Sequence, residues 1–214
     1  MASPGRSAGG SAEPLRLGVL FSGTGRTLEN LALCCRQGSC PAQVVLAVSN
    51  RPGAAGIARA ESLGVPVEVV DSVVGEEVFQ QRIHAALVSA QVGLVLLAGF
   101  LRWFRIEREF RGRVMNIHPS LLPAYGGPGF YGAKVHRAVL AAGESRSGCT
   151  VHFASELYDG GPIILQRVVP VLTDDTEETL AKRAFAEECK AYPEAVRLFA
   201  EGRLVIEDAR VRIL

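Results

Sequence analysis

Gly93–Ala98, G-L-V-L-L-A, narrows the fold more than any other stretch. It is apolar throughout, without the polar alternation of a strand that faces water on one side. A strand covered on both faces belongs in a parallel sheet, and parallel neighbours need long crossover connections, usually helices. The chain before it supplies them. Leu15–Phe21 and Val44–Ser49 are further apolar strands, each closed by a glycine-bearing turn. After the first, Leu28, Leu31, Ala32 and Cys35 fall at helical spacing and stop near Gly38; after the second, Ala54–Leu63 reads as a helix ended by Gly64. Val65–Val70 is a third strand, assigned to an edge because Pro66 cannot donate to a ladder. Glu76–Ser89 is a helix with Val78, Ile83, Ala86 and Leu87 as its inner face. Alternating strands and helices specify an α/β chain, a Rossmann-like, mostly parallel twisted sheet with helices on both faces.

The second half reads differently. Ile106–Phe110 is a short helix, Arg113–Ile117 a strand and Ala133–Ala142 a helix. Cys149–Ala154 and Pro162–Leu172 are strands joined by a turn, so the C-terminal part carries antiparallel strands. A long helix follows, capped by Thr176 and reaching about Ala200, with Pro193 bending it. Gly202–Ile213 gives two short strands. Residues 1–14 are small and polar without a signal-peptide core, a disordered leader; 15–214 is one domain, with 15–112 and 113–214 as its halves. A formal net charge of +1 argues against a nucleic-acid partner, and no run is long enough to cross a bilayer. Five cysteines, an odd number in a chain of 214 residues, suit a reduced cytoplasmic compartment. Cys34, Cys35 and Cys40 lack metal-ligand spacing, so no metal is expected.

Three stretches carry candidate chemistry. In Arg113–Pro123 the strand holds Asn116 and His118 two residues apart, hence on one face, and stops at Pro119. That sets a donor amide and a titratable ring at the mouth of the sheet, where open α/β folds bind ligands; the alternative is a pair of hydrogen-bonded buried polar residues. Ser22-Gly23-Thr24-Gly25-Arg26-Thr27 is a strand-to-helix turn whose N–H groups suit a phosphate, or a tight turn that binds nothing. Leu28 stands where a dinucleotide fingerprint needs its third glycine, and Asn50-Arg51 replace the acid expected after the second strand, which argues against NAD and leaves NADP open. Gly99–Phe104 offers Phe100, Leu101, Trp103 and Phe104 as a wall for a flat ring system, or as ordinary core. Asp159, ahead of two glycines, is a turn residue or a carboxylate able to lean towards a histidine.

The segments A-G-F-L-R, N-I-H-P-S-L-L-P, H-R-A-V, S-G-C-T-V-H-F and Y-D-G-G-P-I-I-L-Q together resemble the formyltetrahydrofolate-dependent formyltransferases, over about Arg16 to Leu204. The resemblance implies 10-formyltetrahydrofolate as cosubstrate, no metal, and Asn116, His118 and Asp159 as catalytic residues. It implies that Gly25, Arg26 and Thr27 hold a ribonucleotide phosphate and Glu188 its ribose hydroxyls. Leu101, Arg102, Trp103, Phe104, Asn116, Glu156 and Tyr158 would bind the folate. The glycine turn and Tyr192-Pro193 point to the branch whose acceptor is glycinamide ribonucleotide, in purine synthesis; an amino-sugar nucleotide as acceptor, or hydrolysis of the formyl-folate, are the alternatives. Partners would be small molecules only, with the chain a monomer or homodimer. Two departures stand out: the phosphate turn reads G-T-G-R-T in place of G-N-G-S-N, and Gly126–Gly132 lengthens a stretch that is usually short. Chemically, an oxyanion forming on the formyl group needs donors, with Asp159 keeping His118 charged near neutral pH. His136 and His152 are expected to support the site rather than react.

Overall fold

The computed structural model describes residues 13–207 and 209–214. The expected leader therefore lies, for its first twelve residues, outside the described ones. Nine strands and five α-helices follow in the order β1 (Leu15–Phe21), α1 (Arg26–Arg36), β2 (Ala42–Ser49), α2 (Gly56–Ser62), β3 (Val67–Val69), α3 (Glu76–Ser89), β4 (Leu94–Leu97), β5 (Val114–His118), α4 (Ala133–Ala141), β6 (Arg146–Phe153), β7 (Ile163–Pro170), α5 (Glu177–Ala200), β8 (Leu204–Glu207) and β9 (Arg210–Ile213). The first seven strands form one sheet in the order β3-β2-β1-β4-β5-β6-β7, so both halves of the chain share it; β8 and β9 pair separately as a hairpin. Pairing is parallel from β3 to β5 and antiparallel from β5 to β7. No helix among the described residues is long and apolar enough to cross a membrane.

The apolar runs do what their lack of alternation requires. Along β1, Leu17, Val19 and Phe21 join a core with α1, α2 and α5, while Leu20 joins a second core on the other face with α3. In β4, Leu94 and Leu96 point to the first core and Val95 to the second. Several elements differ from the reading above. The expected helix at Ile106–Phe110 is only a 3₁₀ turn, Arg108–Phe110. β3 is short, and α3 buries Phe79, Gln80, Ile83 and Leu87, leaving Val78 41% exposed. α5 continues through Pro193. The proline cannot donate to the carbonyl of Cys189 one turn back, and the Asn30 amide of α1 donates to it instead at 2.9 Å. One helix's missing hydrogen bond thus docks another.

Tyr192 fixes the sheet where the site begins. Its ring is fully buried, and its hydroxyl lies 2.9 Å from the Met115 carbonyl, within β5, and 3.1 Å from the Leu97 carbonyl, at the end of β4. Burial raises its pKa well above the usual tyrosine value, so it stays a donor. Removing the donor strands buried carbonyls, so Tyr192→Phe should lower stability by about 1–3 kcal/mol. Urea denaturation should show a lower midpoint with unchanged slope; a wild-type midpoint would mean that the hydroxyl contributes nothing.

Candidate active site

The sheet order reverses between β1 and β4, and in open α/β sheets the crevice at such a reversal binds ligands. Here the two strand ends are tied together. Ser22 donates its backbone N–H to the Gly99 carbonyl at 3.1 Å, and its hydroxyl accepts the Leu101 N–H at 2.8 Å. Gly25 then starts α1 in the left-handed region, φ 71°, with no side chain capping the first turn. A Cβ there would lie 2.7 Å from the Gly56 Cα, so glycine is needed twice over, for its dihedral and for the approach of α2. The uncapped turn opens into a cavity of about 580 Å³ that Arg26, Thr27, Arg51, His136, Phe185 and Glu188 also line. Arg26 lies over the Phe185 ring, 4.2 Å from its centroid. Burial pushes Glu188 up to about 7, against the pull of Arg26.

A second cleft, about 310 Å³, adjoins the first, with Gly99, Leu101, Ile117, Pro119, Tyr131 and Gly132 lining both. Phe100, Leu101, Arg102, Trp103 and Phe104 form one wall. These residues divide between core and cleft: Phe104 is 5% exposed and belongs to the α3 core, while Leu101 is 43% exposed. Tyr158 meets Trp103 edge-on at 4.9 Å across the cleft. Glu156 departs from expectation: it is exposed and lines a neighbouring hollow with Arg105 and Arg111, not this cleft. Four of the six residues from Ser155 to Gly160 are exposed, and Glu156 follows the outer side of that turn.

Asn116, His118, His152 and Asp159 meet on the floor of this cleft. In the antiparallel register Asn116 stands directly opposite His152, so their side chains share a face. His152 Nδ1 faces the Phe153 carbonyl at 2.9 Å and must donate to it, leaving Nε2 as an acceptor. The Asn116 amide donates to that Nε2 and to Asp159 Oδ1, each at 3.1 Å. The other carboxylate oxygen, Oδ2, accepts the Gly127 N–H at 2.9 Å and lies 3.4 Å from His118 Nδ1. His118 Nε2 donates to the Tyr125 carbonyl at 2.8 Å. The Gly126–Gly132 stretch therefore supplies the carboxylate with a backbone donor.

The electrostatics correct one expectation. Burial lowers the pKa of His118 below its ordinary value, and the opposing pulls of Asp159 and the Tyr125 carbonyl do not restore it. His118 is therefore neutral near pH 7, not held as an imidazolium. Burial works to raise Asp159, but the net shift is downward, with the Gly127 N–H donating to its Oδ2, so it stays below the usual carboxylate range. The resting pair is one carboxylate and one neutral ring. His136 is likewise held neutral by burial. Among the described residues no three metal-ligating side chains converge as an ion would require.

The sequence pattern of the formyl transferase family matches residues 15–196. The chain belongs to that family. Among its relatives, phosphoribosylglycinamide formyltransferase, chloroplastic, of Arabidopsis thaliana is 42% identical over 92% of this chain and 70% of its own length. The trifunctional purine biosynthetic protein adenosine-3 of Drosophila melanogaster is also 42% identical, over 89% of this chain, which spans 14% of that protein. Among solved structures, glycinamide ribonucleotide transformylase 1 from Symbiobacterium toebii superposes with a TM-score of 0.88 at 44% identity, covering 95% of each chain.

Gln80 was missing from the sequence reading of this formyl transferase. Only 4% exposed, it accepts the Arg105 N–H at 2.9 Å and donates to the Trp103 carbonyl at 2.8 Å, clamping the aromatic wall from α3. Glutamine inside a helix carries no local signal of such a role. Two titrations follow from the geometry. His118, followed by proton NMR, should titrate below about 6.5, and Asp159→Asn should lower it further; a rise would mean that the carboxylate does not act on the ring. Glu188, raised to about 7, binds its proton more tightly folded than unfolded, so stability falls as pH rises from the unfolded value through about 7. Glu188→Gln should therefore raise the denaturation midpoint at about pH 8 and change it little at about pH 5.

Proposed function

We propose that this chain transfers the formyl group of 10-formyltetrahydrofolate to the amine of 5'-phosphoribosylglycinamide, giving the N-formyl product and tetrahydrofolate in purine synthesis. One observation carries the reading: an aromatic-walled cleft and an arginine-bearing cavity at an uncapped helix N-terminus adjoin over a floor that holds Asn116, His118 and Asp159. A flat pterin fits the first and a phosphate the second. The names of the Arabidopsis and Symbiobacterium relatives support the same acceptor. A reducing compartment such as the cytoplasm suits the five unpaired thiols. Because both cavities are lined by one chain, the activity is compatible with a monomer or a homodimer.

Amine attack on the formyl carbon puts negative charge on the formyl oxygen, and preorganised donors lower the barrier where that charge develops. Both N–H groups of Asn116 are spent at rest, on Asp159 and His152. Donation to the oxyanion is thus an exchange, with Asn116 turning one N–H from a protein acceptor to the substrate. The amine must also lose a proton and the departing folate nitrogen must gain one. Neutral His118 is the base at hand, and the imidazolium formed is balanced by Asp159 on Nδ1 and the Tyr125 carbonyl on Nε2. The same proton then leaves with the folate nitrogen, so the cycle consumes no external acid or base.

Incubation with both substrates, following tetrahydrofolate and formylated acceptor together, tests the reading. Release of folate without a formylated amine would mean a hydrolase; formylation of an amino-sugar nucleotide alone would mean a different acceptor. Loss of one oxyanion donor typically costs ~10²–10³ in rate, and Asn116→Ala and His118→Ala should each lose kcat on that scale while still binding folate. Either variant turning over nearly as fast as the parent would remove that residue from the chemistry.

A further inference from the structure

We propose that Arg51 reads the phosphate charge of the acceptor, resting on the functional reading above. The residue follows β2, and its backbone is fixed there. The Ser49 hydroxyl accepts the Arg51 N–H at 3.2 Å and donates to the Arg51 carbonyl at 3.0 Å, while the Ala54 N–H donates to that carbonyl at 3.1 Å. These backbone bonds are the only ones Arg51 makes among the described residues. The side chain is exposed and lines the cavity at the start of α1.

Most of the other charges around that cavity are already engaged. Glu177 is paired with Arg137 at 2.6 Å. Glu188 is half-buried and pushed to about 7, so only part of it is charged near neutrality. Arg26 is stacked on Phe185 and acts on Glu188, which commits its guanidinium to the α5 side. Glu178 remains as an acid and Arg51 as the uncommitted cation. A phosphate monoester carries nearly two negative charges near pH 7, whereas a helix N-terminus offers about half a positive one. The N–H groups of the turn supply geometry; a whole charge with a planar fork must come from a side chain.

Arg51 also stands at the seam of the two cavities. The Tyr131 hydroxyl, pulled down in pKa first by Lys134, feels the charge of Arg51 as well, and Tyr131 lines both cavities. An arginine drawn to bound phosphate would lie beside the residue that borders the folate cleft.

Steady-state kinetics on the full chain, with the ribonucleotide acceptor and its 5'-dephosphorylated riboside, test the assignment. Arg51→Ala should raise the KM for the ribonucleotide about 10- to 100-fold, as loss of a charge-assisted contact does. Its kcat should move less than about threefold, because the contact is made equally in ground and transition states. Arg51→Lys, which restores the charge without the planar fork, should recover part of the loss, and Arg51→Ala should act on the riboside as the parent does. An unchanged KM for the ribonucleotide, or an equal loss on the riboside, overturns the assignment. Should the parent chain formylate neither acceptor, the assigned reaction fails, and calorimetry with ribose 5-phosphate still decides the role of Arg51. Weaker binding by Arg51→Ala supports the assignment, and equal affinity overturns it.

Discussion

The arrangement of the active site depends on one buried carboxylate. Asp159 is only 11% exposed at its side chain, and a charge in such a place needs partners on every oxygen. It has them from two directions, the Gly127 N–H from the long loop on Oδ2 and the Asn116 amide from β5 on Oδ1, with the His118 ring standing 3.4 Å from Oδ2. Its backbone sits at φ 54°, a region that aspartate tolerates better than most residues but that still costs energy. The following turn is held tight because a side chain on Gly161 would strike the Phe153 carbonyl. Strain and burial are both balanced by the same set of hydrogen bonds, so the loop, the strand and the turn hold one another in place.

The change from parallel to antiparallel pairing at β5 makes that set possible. A parallel neighbour on this side would stagger its side chains, whereas antiparallel β6 puts His152 squarely opposite Asn116. His152 then acts as a fixed acceptor, its tautomer dictated by the Phe153 carbonyl, and orients the amide. The ring therefore holds the Asn116 amide from across the strand pair. Tyr192 performs a related task from below, since its hydroxyl faces the carbonyl of Met115, the residue before Asn116.

Much of this was legible from the residues. Unalternating apolar runs such as Leu94–Leu97 can only be doubly covered strands, and the glycine turn after Phe21 can only be a strand-to-helix turn. Asn116 and His118 shared a face because strands have a period of two. What stayed hidden depended on distant partners. The short 3₁₀ turn at Arg108–Phe110 and the buried face of α3 are set by packing against the sheet, where Phe79 replaces Val78 because it stacks 6.4 Å from Phe100. Gln80 had no local mark because its partners are backbone groups of the aromatic wall. The outward course of Glu156 and the charge state of His118 are equally matters of tertiary placement: the carboxylate expected to charge the ring is present, but burial outweighs it.

That last point changes how the site must work. An imidazolium waiting in the cleft would be a ready donor, at the expense of a largely buried charge pair. A neutral ring with its N–H on the Tyr125 carbonyl costs little at rest, and the amide of Asn116 is likewise satisfied by Asp159 and His152. The polar hydrogens of Asn116, His118 and His152 are all occupied before substrate arrives, so this trio is satisfied without ligand and still holds acceptors that a forming oxyanion can outbid. In the proposed reaction, charge is created only when the amine gives up its proton. At that moment Asp159, kept ionised by Gly127 and Asn116, already faces the nitrogen that must share it. Preorganisation here lies in the fixed carboxylate, while the donors are the part that moves.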